Sequence, residues 1–257
     1  PVPHYPIVKT LGREKLAGVR GFDKESEQII GQAIADELEK QAERHDVHEE
    51  YLKAQMTLNG RVVTANYGTI DMATEFGVSR PTQTIRATNV LEDLQAGMAK
   101  SKKGLKTGGR VAGYVLFASP SLFNALILSA DIKTAYQFSQ ANGNPLRNEL
   151  GTVANGYTMF RFGNVDVILY DDAFTDKAGT VLTVLAEGKG VLVPRTKLGA
   201  TVYAPASTLS GLGKVGSKRF AQTYRDAKDR YIEVESEQST LVINEQFGAT
   251  VEISIGA

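Results

Sequence analysis

Residues 23–58 read DKESEQIIGQAIADELEKQAERHDVHEEYLKAQMTL, and this stretch decides the architecture. Ile30, Ile34, Leu38, Ala42, His45, Leu52 and Met56 run close to one face at helical spacing, and the opposite face is charged. Asp23 supplies an N-cap, with Ser26 competing for the role, and Glu25 and Glu27 favour the positive end of the dipole. Gly31 is the one weak interior position, costing about 1 kcal/mol against Ala. Asn59-Gly60 closes the segment. The spacing predicts a single helix over Asp23–Leu58, roughly ten turns and about 54 Å long at about 1.5 Å per residue. Helices in ordinary globular domains average about three turns. A chain of 257 residues has no compact core long enough to bury such a rod. The helix is therefore expected to lie across a surface or along a neighbouring copy, which suits an assembly better than a solitary enzyme.

Charge divides the chain unevenly. From Asp23 to Met56 ten acids face four bases, so the helix carries −6. The whole chain has 29 acids and 29 bases, which leaves +6 on the remainder. A nucleic-acid-binding module is usually basic overall, so neutrality argues against one. At 42% hydrophobic and 23% charged the composition is that of an ordinary globular protein, and the length suits one large domain or two ordinary ones. No apolar run approaches the roughly 20 residues a membrane span needs. Cysteine is absent, which excludes disulfides and thiolate metal sites and fits a reducing compartment. With three histidines, His4, His45 and His48, a His-rich metal centre is not expected. The chain opens on Pro1 with no signal-peptide pattern, so an N-terminal piece is expected to have been removed or to lie outside this sequence.

Working outward, residues 1–22 read as an extended arm. Pro1, Pro3 and Pro6 forbid a helix, Gly12, Gly18 and Gly21 keep the arm irregular, and Arg13, Lys15 and Arg20 make it basic. With little apolar content of its own, it is expected to pack on something else. Beyond the helix, Arg61–Thr64 and Thr69–Met72 read as a hairpin around Asn66–Gly68. Residues 89–99 read as a helix capped by Asn89, followed by a glycine-rich basic loop over 100–110. Val111–Ala118 is a strand, Ser119-Pro120 opens a helix to about Ser129, and another spans Ile132–Gln140 before Asn142–Asn144 breaks the pattern. Met159–Phe162 and Val165–Tyr170 pair around Gly163-Asn164. Val181–Ala186, Gly190–Pro194, Tyr231–Val234, Thr240–Asn244 and Thr250–Ile255 read as further strands, with a glycine- and serine-rich loop over Ser207–Ser217. The fold class is α+β.

No stretch carries a catalytic signature. Gly211-Leu212-Gly213-Lys214-Val215-Gly216 matches GxGxxG, but that motif binds pyrophosphate only between a strand and a helix, and a flexible loop is expected. Asp171-Asp172 ends a strand, where carboxylates can hold magnesium beside a phosphate, yet the chain contains no GxxxxGK[ST]; Lys103-Gly104-Leu105-Lys106-Thr107 is only superficially similar. His45 and His48 lie one turn apart among Asp46, Glu49 and Glu50, and a solvated polar helix face is expected there. No GxSxG or HExxH occurs. The basic loop, with Lys100, Lys102, Lys103, Lys106 and Arg110, could bind phosphates, but it has no aromatic to stack on bases. Its sign opposes that of the long helix, and complementary patches steer subunits together. The other reading is a plain solvated loop. The expected catalytic, cofactor and metal residues are therefore none.

Several stretches, in this order, resemble the tailed-phage major capsid protein, specifically the lambda-like major head protein (capsid protein E) family. They are Ile34-Ala35-Asp36-Glu37-Leu38 on the long helix, its close at Leu58-Asn59-Gly60, then Thr69-Ile70-Asp71-Met72 with Phe76-Gly77. Gly163-Asn164-Val165-Asp166-Val167-Ile168-Leu169-Tyr170-Asp171, Val191-Leu192-Val193-Pro194, Tyr231-Ile232-Glu233-Val234-Glu235-Ser236 and Thr240-Leu241-Val242-Ile243-Asn244 follow. The resemblance spans residues of about 22–255 and rests on order and spacing.

The resemblance implies the Hong Kong 97-type (HK-97-like) capsid fold. Residues 1–22 would be the arm or loop lapping a neighbour. Residues 23–84 and 198–257 would form the peripheral domain with its spine helix at 23–58, and 85–197 the axial domain. It implies a structural virion protein, not an enzyme and without cofactor. Copies would self-assemble as hexamers and pentamers of an icosahedral shell enclosing the DNA genome without sequence-specific binding, after assembly in the host cytoplasm. Decoration, scaffolding and portal proteins would be its partners, and no membrane. The alternatives are an encapsulin-like nanocompartment shell, or a soluble α+β enzyme with a dimerising helix.

Overall fold

A computed structural model describes residues 2–12, 14, 26–64, 67–105, 111–138, 156–176, 178–228 and 230–256. The chain divides into two compact units: Pro1–Lys53 with Val63–Thr69 and Thr201–Ile243, and Ala54–Val62 with Ile70–Ala200 and Asn244–Ala257.

The long helix dominates the first unit. Helix α1, Ser26–Ala54, has 29 residues, passes into a π turn at Gln55–Asn59, and stops at Gly60 in the left-handed conformation (φ 70°). The expected stop at Asn59-Gly60 is thus where the chain turns, while the expected cap Asp23 and the dipole-favouring Glu25 lie outside the described residues. The first unit's sheet is built on one long strand. β1 (His4–Gly12) pairs antiparallel with β13 (Tyr231–Asn244), His4 opposite Ser239 and Gly12 opposite Tyr231. β11 (Gly199–Tyr203) and β12 (Phe220–Arg225) also pair with β13. The N-terminal segment expected as an irregular arm is therefore a strand of its own chain's sheet as far as Gly12. Its side chains alternate along β1, and Val8 on the outer face is exposed.

β13 corrects a second expectation. Tyr231–Val234 and Thr240–Asn244 are not two strands but the ends of one 14-residue strand. The run between them, Glu235–Ser239, reads as a break because it is polar, yet Ser236, Glu237, Gln238 and Ser239 are all buried.

The second unit is a six-stranded sheet in the order β4-β14-β10-β5-β7-β6, formed by Thr82–Ile85, Val251–Ile255, Lys189–Pro194, Tyr114–Ala118, Val165–Leu169 and Met159–Phe162. β14 runs parallel to β4 and β5 parallel to β7, while β10 is antiparallel to both its neighbours. The sequence reading groups residues 70–84 and 244–257 with the long helix; in the structure β4 and β14 complete this sheet instead. Non-local pairing of Glu252 with Thr82 and of Leu192 with Val251 brings them there. α3 (Val90–Gly104), α4 (Pro120–Leu128) and α5 (Ala130–Phe138) join the sheet in one apolar core of Leu94, Leu116, Leu122, Phe160, Val167, Leu192 and Ile253.

Local chemistry explains the ends. Asp71 at the end of β3 (Gly68–Asp71, paired with β2, Arg61–Thr64) accepts the Ala73 and Thr74 N–H groups at 2.8 and 3.3 Å. That cap starts the short helix α2 (Met72–Phe76) where the sequence suggests continued strand. Asn89 precedes α3, but the Val90 N–H goes to the Asp131 carboxylate of α5 at 2.8 Å. α3 also continues five residues past the expected end at 99. Lys100, Lys102 and Lys103 are helical, not part of a basic loop, because lysines propagate a helix and suit its negative end. Lys106 and Arg110 lie outside the described residues. The β8–β9 hairpin (Ala173–Thr175, Val181–Thr183) completes the unit.

Candidate functional site

The arrangement with most structure around it is where α1 crosses β13 within the first unit. A helix rises about 6 Å over four residues and a strand about 6.7 Å over two. Helix residues four apart can therefore meet strand residues two apart, and here they do. Gln41 Nε2 donates to the Val234 carbonyl at 3.2 Å, His45 Nε2 meets Ser236 Oγ at 3.0 Å, and Gln238 Nε2 donates to Glu49 Oε2 at 2.8 Å. The three helix residues are 0, 1 and 4% exposed. The face expected to be solvated at His45 and Glu49 is thus a buried polar seam, and Leu52 continues it in apolar form. Asp46 and Glu50 on the same turns remain exposed, as expected.

Cations close the seam at one side. Lys53 lies 2.8 Å from Glu49 one helical turn away, and Lys218 lies 3.5 Å from Glu49 and 2.9 Å from Asp46. Arg219 also pairs with Asp46, and the Tyr203 hydroxyl donates to Glu49 at 3.3 Å. Burial alone would raise the Glu49 carboxyl, but Lys53, Lys218 and the Gln238 amide outweigh it and hold the group below its ordinary value. Bonds from Lys218 and Arg219 likewise hold Asp46 low. Burial pushes His48 down to about 4 and lowers His45, where Arg219 adds to the effect. Both imidazoles are therefore neutral at pH 7. His48 meets the Tyr5 ring edge-on at 4.2 Å, and burial pushes the Tyr5 hydroxyl up to about 12.

The same strand carries a second polar cluster. Glu237 accepts from the Ser207 N–H at 2.9 Å, the Ser207 and Ser239 hydroxyls at 3.0 Å each, and His4 Nδ1 at 2.8 Å. Burial would raise this carboxyl, but those donors outweigh it and the net shift is downward. The cluster ties β1 and the loop after β11 to β13. It is a positioning network in which both serine hydroxyls and the His4 ring are engaged by Glu237.

Two further sequence candidates find a place. Gly211–Gly216 follows a short 3₁₀ turn, Leu209–Gly211, and neither flanking element is the strand–helix pair a dinucleotide needs. Two of its glycines, Gly211 and Gly216, are there for close packing. A Cβ on Gly211 would lie 2.3 Å from the Ala206 carbonyl oxygen, and one on Gly216 2.1 Å from that of Tyr203. Asp171 and Asp172 line a depression of about 240 Å³ with Gly156, Tyr157, Thr158 and Leu169, where the Tyr157 hydroxyl donates to Asp172. Among the described residues no group of three His, Asp or Glu side chains is arranged to hold a metal ion. No described helix is long and apolar enough to cross a membrane. The sequence reading missed Ser236, Glu237 and Gln238, as well as Lys218 and Arg219. One signal was present: residues 231–243 contain no Gly, Pro, Asn or Asp to break the strand.

Comparison with known proteins decides what this scaffold belongs to. The family model of phage major capsid protein E matches residues 1–255. The chain belongs to the phage major capsid protein E family. A curated relative, the major capsid protein of Pseudomonas phage KPP10, is 27% identical over 254 residues, covering 92% of this chain and 72% of that protein. The fold is similar to the crystal structure of a protein assigned as a capsid protein of an E. coli CFT073 prophage. Its TM-score is 0.68 at 11% identity, over 99% of this chain and 77% of that one. The mature capsid of bacteriophage PhiM1 is a more distant likeness, with TM-score 0.46, 13% identity, and 98% and 70% covered. The α+β fold is that of HK97-like phage capsids, and the protein is a structural capsid subunit of a tailed phage, located in the virion shell. The phage capsid family is structural in character.

Proposed function

We propose that this chain assembles as hexamers and pentamers into an icosahedral shell that encloses DNA without reading its sequence. Portal, scaffolding and decoration proteins act as further partners, and assembly takes place in the host cytoplasm. The first unit serves as the peripheral domain, with α1 as its spine, and the sheet of the second unit carries the axial contacts. The part of the expected arm that follows β1, residue 13 and residues 15–22, lies outside the described residues. The observation that carries this reading is the first half of α1. Residues 28–40 include Ile29, Ile30, Ile34 and Leu38, and none of the thirteen is buried. A helix gains most of its stability by packing an apolar stripe. A stripe only partly covered by its own chain is a surface for another copy.

Negative-stain microscopy of the purified protein, with light scattering for mass, tests this. Uniform shells, rings or tubes are expected, and shells that carry a co-purifying protein cargo would redirect the reading to a nanocompartment. A monodisperse monomer or dimer at every salt and pH would refute assembly. Because the helix is acidic and the remainder basic, assembly yield is expected to fall between about 0.05 and 1 M salt as the Debye length shrinks to about 3 Å.

A further inference from the structure

The loop between β11 and β12 presents apolar side chains to solvent on a fixed backbone. Leu209, Leu212 and Val215 are 88, 77 and 89% exposed. The loop is nonetheless held in place. The Gly211 N–H bonds the Thr208 carbonyl at 2.9 Å and Lys214 N–H that of Gly211 at 3.1 Å. Thr208 Oγ1 meets Ser210 Oγ at 2.9 Å, and Ser210 accepts from the Gln222 amide of β12. Gly211 and Gly216 seat against carbonyls of the preceding segment, where no Cβ fits. Three large apolar groups on a pre-ordered loop can be buried with little further loss of entropy.

We propose that this loop, residues 209–215, docks on residues 28–40 of α1 in a second copy of the chain. This rests on the shell reading above and names one of its contacts. The helix stripe Ile30, Ile34 and Leu38 offers about 12 Å of incompletely covered aliphatic surface. The charges are complementary. Residues 199–225 contain no acid and carry Lys214, Lys218, Arg219 and Arg225, whereas residues 28–43 carry Asp36, Glu37, Glu39 and Glu43 against Lys40 alone. Lys218 and Arg219 already bind Asp46 of their own α1, so Lys214, exposed at the loop tip, faces outward for a second helix with the same chemistry. Loop-to-loop pairing would set Lys214 against its copy with no acid nearby. The two surfaces differ, so the contact is head-to-tail, the kind that closes into rings.

The absence of cysteine in this chain permits a direct test. Chains with Ile34→Cys alone and Leu212→Cys alone are mixed, assembled and oxidised. A disulfide between the two variants is expected within particles, at a rate on the order of 100-fold above the same mixture kept unassembled, because assembly raises the effective concentration. Leu38→Cys replaces Ile34→Cys should that helix site fail to fold. In parallel, Leu209→Ser/Leu212→Ser/Val215→Ser, which changes only exposed positions, is expected to keep the subunit's thermal melt and lose most particle yield. Normal particles from the triple variant, a Leu212→Cys homodimer instead of the mixed one, or no mixed disulfide in intact particles would each overturn the docking and leave the shell reading standing. Absence of particles from the unsubstituted chain would bring down both.

Discussion

Replacing Glu49 by alanine is the sharpest probe of the buried seam. The residue is 4% exposed and its carboxylate accepts the Gln238 amide at 2.8 Å. Removing it leaves that donor buried without a partner, at a cost of about 1–3 kcal/mol. Lys53 and Lys218 are roughly half exposed and can return to water, so each adds about 0–1 kcal/mol. The expected loss is about 3 kcal/mol, which for a protein of this size lowers the melting temperature by roughly 6–12 °C. Glu49→Gln keeps the shape and an acceptor for Gln238, and should cost about 1 kcal/mol. The assay is urea unfolding of the dissociated subunit by circular dichroism, comparing midpoints at constant slope. The Glu49 carboxyl is held below its ordinary value of 4.5. Its contribution is therefore complete above that pH and disappears as the pH falls through the lower folded value. Glu49→Ala within about 0.5 kcal/mol of the parent at pH 7 would refute the reasoning, as that is the scatter of ordinary surface changes.

Three further outcomes are expected. With His48 pushed down to about 4, the unfolded chain takes up its proton first, so stability should fall by up to about 3 kcal/mol between pH 6.5 and 4. His48→Phe should flatten that slope to the share left by His45, and an unchanged slope in subunit unfolding would count against it. Arg80 donates to the Thr57 carbonyl at 2.7 Å, to the Leu58 carbonyl and to Thr250 Oγ1 at 3.1 Å, and lies 4.8 Å over the Phe247 ring. Arg80→Met should cost about 2–4 kcal/mol in a calorimetric melt, and an unaltered melt would show that these carbonyls find other donors. A Cβ on Gly104 would lie 1.9 Å from the Gly248 carbonyl oxygen, so Gly104→Ala should cost about 3 kcal/mol or more and yield mostly insoluble protein. Recovery of soluble subunit at the parental level would show that the two backbones can separate.

The seam also shows why parts of this fold can be read from sequence and parts cannot. The period of residues 30–56 and the stop at Asn59-Gly60 are local signals, and α1 with its left-handed terminus at Gly60 follows them. The hairpins at Arg61–Asp71 and Met159–Leu169 follow their turn residues in the same way. Burial of Gln41, His45 and Glu49 is different. Polar side chains on a helix read as solvated unless their partners are known, and the partners here are Val234, Ser236 and Gln238, nearly 200 positions away. The break read into β13 has the same cause. Its central residues are polar on both faces because both faces meet polar groups: α1 on one, His4 and Ser207 on the other.

By itself the sequence determined the long helix and its end, the α+β class, the polarity of acidic rod against basic remainder, and the order of elements by which the family was recognised. These depend on neighbours within a few residues of one another, where sterics, capping and periodicity act directly. Tertiary structure alone decided that β1 belongs to its own chain's sheet, that β14 returns between β4 and β10, and that Glu49 is buried and paired. It also decided that Leu209, Leu212 and Val215 stand exposed on a loop whose Gly211 and Gly216 are fixed by close packing. Those outcomes depend on which distant groups share a desolvated space, and no local pattern of residues encodes that distance.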